Sequence, residues 1–342
     1  MIAPRFARHE LIPGWDQDSL KAAWIVVVGV GALGNEVARS LAMAGAGRLT
    51  LVDPDVVTES NLSRCVLFRT HDVGRAKVAA AGAALSELAP GIALDLRPAT
   101  LTGGVGRGEM RDATLVVSAL DSMAARIELA GRCASVGAGM LDAGTRPWGG
   151  EIRWYPAGGA CYACPLSPAE RAVLDDPWAC GQLASPVEAG ASVAVSALIG
   201  AWQAAFALRL LFGLPAAELT RVDVLGGAAT GPGPRRAIDC PCHDDIPASA
   251  VTKLPLTTAA TVAEVLARIG PDEDVMTWAG FREDASGPPV LPGRRFLRSV
   301  TPSRTLAEIG VAPGEILPVR LGRVTSAVRF IELSTTSEEP RR

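Results

Sequence analysis

Apolar runs and helical periodicities alternate along the first part of the chain. Trp24 to Val28 is uninterruptedly apolar, rich in β-branched residues and closed by Gly29, the pattern of a strand buried on both faces. Residues 35–44 are alanine-rich with apolar positions at helical spacing, and the glycines at 45 and 47 stop them. Arg48 to Val52 reads as a second strand, and Gly74 to Leu88 as a helix halted before Pro90. Leu94 to Pro98 and Thr114 to Ala119 are further strands, the latter apolar enough to be central. Strands alternating with helices predict an α/β fold with a Rossmann-like doubly wound sheet, whose ligands bind at the carboxyl ends of the strands.

Past residue 150 the texture changes. Glu151 to Tyr155 reads as a strand, and cysteine pairs then flank an irregular region and a long apolar stretch. Ala189 to Leu208 carries no charge and is long enough to cross a bilayer. It also contains Gly190, Ser192, Ser196, Gly200 and Gln203, so the expectation is a helix in the core or a dimer interface, with no membrane span. Residues 246–254, rich in Pro, Ala, Ser and Thr, read as a linker after a domain over 1–245. A small α+β module is expected over 255–335. Its elements are a helix at Val262–Ile269, strands at Val275–Trp278 and Arg295–Ser299, a short helix at Leu306–Ile309, and strands at Ile316–Arg320 and Ala327–Leu333. The tail at 336–342 is expected to be disordered.

With 49% hydrophobic and 20% charged residues, the 342-residue chain can fill a large core. Its net charge of -3, with no basic block, argues against a nucleic-acid groove. No apolar run follows Arg5, Arg8 and Glu10, so no signal peptide is expected and a cytoplasmic location follows. In a reducing compartment the seven cysteines read as ligands or nucleophiles rather than disulfides.

Gly29, Gly31 and Gly34 form G-x-G-x-x-G between a strand and a helix, where glycine lets the backbone approach a phosphate and the helix N-terminus faces it. Asp53 ends the second strand, where a carboxylate can hold ribose hydroxyls. Alone, these residues suggest NAD. Asn61, Arg64 and Lys77 follow, and hydride transfer needs no such set around the phosphates; nucleotidyl transfer does, because charge builds on a triphosphate. Asp121, after the apolar strand "TLVVSAL", suits Mg²⁺, which takes oxygen ligands from protein and phosphate.

The segments "RFARHELIPGW", "GVGALG", "LVDPD", "SNLSR", "DVGRAK" and "ALDS", followed by the cysteine pairs, resemble the ubiquitin-activating-enzyme-like adenylyltransferases over about residues 5–245. That family includes the enzymes that activate sulfur-carrier proteins for molybdopterin and thiamin synthesis. The resemblance implies ATP-dependent adenylation of a carboxylate, usually a protein's C-terminal glycine, with release of pyrophosphate. It implies ATP in the glycine loop, its ribose on Asp53, its phosphates on Asn61, Arg64 and Lys77, and Mg²⁺ on Asp121. Arg8 matches the arginine that reaches the triphosphate from the other subunit, which implies a homodimer. The expected partner is a small ubiquitin-like or sulfur-carrier protein. Two positions depart from the family: Cys65 stands where glutamine is usual, and Ser122 where asparagine is usual.

"CYAC" (Cys161, Cys164) and "CPCH" (Cys240, Cys242, His243) are soft-ligand clusters of the kind that build a structural zinc site. The family has two C-x-x-C pairs there. Here the second is C-x-C, so the fourth ligand is Cys242, giving four thiolates and slightly favoured, or His243. Cys180, in the loop before the apolar helix, is either a nucleophile for the activated carboxylate or a structural thiol. "SRTLAEIGVAPGEILPVRL" resembles the closing part of a ubiquitin-like β-grasp domain, which implies an interaction or packing module. The competing readings are a nicotinamide oxidoreductase, a non-catalytic nucleotide-binding scaffold, and a peptide-adenylating enzyme of natural-product synthesis.

Overall fold

The computed structural model of the chain describes residues 4–171, 192–279, 293–321 and 329–335. In chain order, α1 (Gln17–Ala22) leads into β1 (Trp24–Val28), α2 (Ala32–Ala44), β2 (Arg48–Val52), α3 (Lys77–Leu88) and β3 (Ala93–Arg97). The crossover from β3 carries α4 (Leu101–Gly104) and α5 (Arg107–Asp112) into β4 (Leu115–Ser118). There follow α6 (Met123–Ser135), β5 (Met140–Arg146), β6 (Gly149–Tyr155), α7 (Pro168–Arg171), α8 (Val193–Leu211), β7 (Leu219–Asp223) and β8 (Gly227–Gly231).

These eight strands form one sheet in the order β3-β2-β1-β4-β5-β6-β7-β8. It is parallel from β3 to β5 and antiparallel from β5 to β8. The Rossmann-like expectation holds. β1 lies inside the sheet and is apolar throughout because both of its faces are covered, and Ile25, Val26 and Val27 are wholly buried. Ile25, Val27, Leu41, Leu49, Leu51 and Leu141 belong to one cluster, each fully buried aliphatic stabilising by about 1.5–3 kcal/mol. Val28 pairs with both Val52 and Ser118, so the loops after β2, β1 and β4 leave one edge side by side, about 5 Å apart.

α8 is long and apolar enough to cross a membrane, yet part of it is buried against its own domain. Gly200 makes this possible: a Cβ there would lie 2.5 Å from the Cβ of Glu36 on α2. Gln203, wholly buried, donates to the carbonyls of Ser118 (2.8 Å) and Leu141 (3.2 Å), which fixes α8 over β4 and β5. Ala194, Leu198, Ala201 and Ala205 line the exposed stripe of the same helix.

The chain divides into two compact units, residues 1–99 with 113–243 and residues 100–112 with 244 onward. The second unit contains β9 (Val251–Leu254), α9 (Val262–Leu266), β10 (Glu273–Ala279), β11 (Gly293–Phe296), β12 (Ile316–Leu321) and β13 (Arg329–Leu333). Its sheet runs β11-β10-β12-β13-β9, with only β13 and β9 parallel. Val262, Val265, Val275, Leu306, Leu317 and Ile331 form its core.

Several expectations change here. The segment over 246–254 ends in β9, which pairs with Phe330–Leu333; the Pro- and Ala-rich approach masks a short strand. α9 starts at its capping box, Thr261 with Glu264, but stops at Leu266 rather than at 269. Leu306–Ile309 is not a helix: Thr305 and Glu308 make the same reciprocal cap, then Val311 N–H bonds Leu306 O. Gly310, at φ +81°, turns the chain away after a single turn. Residues 297–299 are a 3-10 turn after β11.

Residues 100–112 belong to this unit, not to the first as the boundary at 245 implied. Arg107 pairs with the buried Glu315 at 2.8 Å. Arg111 makes a two-pronged pair with Glu332, at 2.8 and 2.9 Å. Gly106 is required, since a Cβ there would lie 2.2 Å from Pro313 O.

Candidate active site and metal cluster

The glycine loop is shaped by two contacts that no larger residue permits. Gly29 has φ +92°, and a Cβ on it would lie 2.6 Å from Ala119 O; one on Gly34 would lie 2.0 Å from Gly29 O. At Gly31 nothing lies within 4 Å, so the space beside the loop is open. Gly31 caps α2 without a side-chain bond, leaving the N–H groups of its first turn for an anionic ligand. The donors and the empty cradle fit a nucleotide phosphate.

Asp53, buried at the end of β2, turns into this loop. Its Oδ2 accepts from Val30 N–H at 2.6 Å and its Oδ1 from Asp55 N–H at 2.9 Å. Burial pushes its carboxyl up, against the pull of Lys77 and of these hydrogen bonds. Lys77 opens α3, with Nζ 2.8 Å from Asp55 Oδ2 and its backbone N–H on Asp55 O. Burial disfavours its charge, but Asp53 and then Asp55 outweigh burial and raise its pKa. Asn61 is buried, and its Oδ1 accepts from Thr58 N–H at 3.1 Å; Arg64 donates to Ser60 O at 2.9 Å. Cys65 is buried in the same surroundings, and burial raises its thiol pKa.

Asp121 is exposed just past β4, on the strand edge that Gly29 shares. Ser122 caps α6, accepting from Ala125 N–H at 3.4 Å. Arg8 is exposed after the turn at Pro4–Phe6, and Cys180 lies outside the described residues. The structure thus brings together the loop, Asp53 and Lys77.

Four ligand atoms, from Cys161, Cys164, Cys240 and His243, lie within 4.8 Å of one another. Cys161 Sγ is 3.9 Å from Cys164 Sγ and 3.7 Å from Cys240 Sγ, against a tetrahedral edge of about 3.8 Å for zinc–thiolate bonds of about 2.3 Å. His243 Nε2 lies 3.1 Å from Cys164 Sγ. Ala237 and Cys161 N–H groups point at Cys164 Sγ, at 3.4 and 3.3 Å, so two backbone donors hold the sulfur in place. The donor set fits zinc. Cys242 is also at hand, hydrogen-bonded to Cys161, with its Sγ 3.4 Å from where a Cβ on Gly131 of α6 would lie. His243 thus joins the tight set, and Cys242, the other candidate for the fourth ligand, stands beside it.

The ThiF family model matches residues 5–236, well over half of the chain. The chain belongs to the ThiF family. Its relatives include the sulfur carrier protein adenylyltransferase of Thermus thermophilus, 31% identical over 71% of this chain and 91% of that protein. The sulfur carrier protein ThiS adenylyltransferase of Escherichia coli is 32% identical over 66% and 87%. By membership this ThiF-family chain is an ATP-dependent adenylyltransferase. The crystal structure of E. coli MccB with ATP shares the fold, with a TM-score of 0.56 and 20% identity over 70% of this chain and 74% of that one.

One residue of this ThiF-family site escaped the sequence reading. Asn35 is wholly buried; its Nδ2 donates to the carbonyls of Val30 (2.9 Å) and Gly31 (3.0 Å), and its Oδ1 accepts from Leu67 N–H (2.9 Å). It ties the loop to the segment after Arg64. The available signal was an amide directly after Gly34, on the helix face that meets the sheet.

Proposed function

We propose that this chain adenylates the C-terminal carboxylate of a small ubiquitin-like or sulfur-carrier protein, acting as a cytoplasmic homodimer with Mg²⁺ and Zn²⁺. The observation that carries this reading is the meeting of a glycine loop open at Gly31, the buried Asp53 and the mostly buried Lys77. Asp53 binds the ribose, the first turn of α2 meets the phosphates, and Lys77 exchanges Asp55 for phosphate oxygens. Arg64 and Asn61 extend the donor set, with Arg8 supplied from a second copy. A carboxylate oxygen of the carrier attacks the α-phosphorus, the bond to the bridging oxygen breaks, and pyrophosphate leaves with its electron pair.

Asp121 would hold Mg²⁺ together with phosphate oxygens, and the ion supplies charge neutralisation there. Cys161, Cys164, Cys240 and His243 would hold Zn²⁺, whose role with four protein ligands is structural. The exposed apolar stripe on α8 supports a homodimer, since such a face is expected to be covered. Onward transfer to the Cys180 thiol is a separate step, read by trapping a thiol-sensitive adduct on the wild-type protein that Cys180→Ala loses.

The test is ATP–pyrophosphate exchange with a panel of small carrier proteins that end in a free glycine carboxylate. Lys77→Ala and Asp121→Ala are expected to abolish exchange while the melting temperature stays unchanged. Full exchange in either variant overturns the assigned roles.

A further inference from the structure

We propose that the metal cluster fixes the position of Asp121 through Tyr162 and Arg126, so that cation binding at Asp121 depends on the cluster being loaded. The inference rests on the proposed role of Asp121 in holding a divalent cation.

Arg126 lies on α6 and turns back toward the end of β4. Its Nε and Nη2 both donate to Leu120 O, at 2.9 and 2.6 Å. That carbonyl belongs to the peptide joining Leu120 to Asp121. The peptide is planar, so holding its oxygen with two donors also holds the Asp121 nitrogen and Cα. On the other side, Ser122 O accepts from Arg126 N–H at 3.2 Å. The guanidinium thus fixes the peptide that enters Asp121, while the bond to Ser122 O is the ordinary first-turn backbone bond of α6, which follows Asp121.

Three further contacts hold the guanidinium. Nη2 also donates to Ala143 O at 3.1 Å, and Nε lies 3.5 Å from Asp142 Oδ1. Asp142 is buried and accepts from Ser118 Oγ at 2.6 Å. Tyr162 covers the remaining face, with Arg126 Cζ 5.8 Å from its ring centroid. Gly144 leaves room for this, since a Cβ there would lie 3.3 Å from the guanidinium.

Tyr162 sits between Cys161 and Cys164, the two cysteines of the first ligand pair. Arg171 braces the same knuckle by donating to Ala163 O (3.0 Å) and Cys164 O (3.1 Å). Cys161 and Cys164, sharing a bound ion, would hold the knuckle closed and so place the Tyr162 ring. The path is short and continuous: cluster, Tyr162, Arg126, Leu120 carbonyl, Asp121. Arg126 and Tyr162 are positioning residues, acting on the cation site through the backbone.

The experiment measures Mn²⁺ affinity by electron paramagnetic resonance, using the full chain saturated with α,β-methylene ATP. Tyr162→Leu and Arg126→Lys are expected to weaken Mn²⁺ binding about 10- to 100-fold, the usual effect of losing an outer-shell support. Zinc content and metal-free nucleotide affinity stay at wild-type values. Zinc removal by a zinc-selective chelator is expected to weaken Mn²⁺ binding equally in the wild type and to add nothing in Tyr162→Leu. Wild-type Mn²⁺ affinity in either folded variant overturns the proposal, as does a chelation effect that persists in full in Tyr162→Leu. Asp121→Asn separates the two claims: unchanged Mn²⁺ affinity there overturns the role of Asp121 itself.

Discussion

Lys77 Nζ lies 2.8 Å from the exposed carboxylate of Asp55, while its electrostatic coupling runs more strongly to the buried Asp53. In the proposed nucleotide site the lysine would thus be held by one carboxylate and occupied by another, which phosphate would have to displace. An exposed pair of this kind contributes about 0–1 kcal/mol. Asp55→Asn is therefore expected to tighten ATP binding by up to about 5-fold, measured by calorimetry. Weaker binding would mean that Asp55 itself positions Lys77.

Two glycines of the loop, Gly34 and Gly31, separate by mechanism. Gly34→Ala places a methyl 2.0 Å from Gly29 O, so a loss of stability of at least about 1–3 kcal/mol is expected, seen as a lower melting temperature. Gly31→Ala meets nothing within 4 Å. It should melt like the wild type yet bind ATP at least about 10-fold more weakly, because the methyl occupies the phosphate's space. Unchanged ATP affinity would place the phosphates elsewhere.

For the metal cluster, His243→Ala should lower bound zinc to well below one ion per chain, and Cys242→Ser should retain it, as read by elemental analysis of purified protein. The reverse result would restore the four-thiolate arrangement. Cys161→Ser is expected to lose zinc and to destabilise the fold, because a structural ion contributes directly to folding.

The C-terminal unit has its own acid sensitivity. Arg329 clamps Glu273 at 2.6 and 3.0 Å and holds its carboxyl at about 2, well below the ordinary 4.5. The native state therefore binds fewer protons than the unfolded chain between those values. This stabilisation is complete above pH 4.5 and is lost as pH falls toward 2. Arg329→Ala should cost about 1 kcal/mol at neutral pH, and acid titration followed by circular dichroism should show a smaller loss between pH 4.5 and 2 than in the wild type. An unchanged acid profile would contradict the pairing.

Four of the five parallel strands and their loop were legible because each carries a strong local signal. β5, Met140–Arg146, was missed because Asp142, Gly144, Thr145 and Arg146 break its apolar run. β1 and β2 begin and end where the apolar runs do, and Gly29 and Gly34 stand where backbone atoms crowd. β9 was hidden because four residues pair only through the distant Phe330–Leu333. Arg107 and Arg111 gave no sign in sequence of serving the C-terminal unit, since their partners Glu315 and Glu332 lie some two hundred residues away. The choice between His243 and Cys242 was not legible because the C-x-C-H run brings both to the pair Cys161 and Cys164. Arg126 looked like any helical arginine until its return to Leu120 O placed it beneath Asp121.

The decisive measurement is ATP–pyrophosphate exchange in the presence of a small carrier protein, with its C-terminal carboxylate free or amidated. Exchange that requires the free carboxylate and Mg²⁺, and that vanishes in Lys77→Ala, is the expected result. Absence of exchange with every free carrier, or equal exchange with amidated ones, would contradict carboxylate adenylation as the function of this chain.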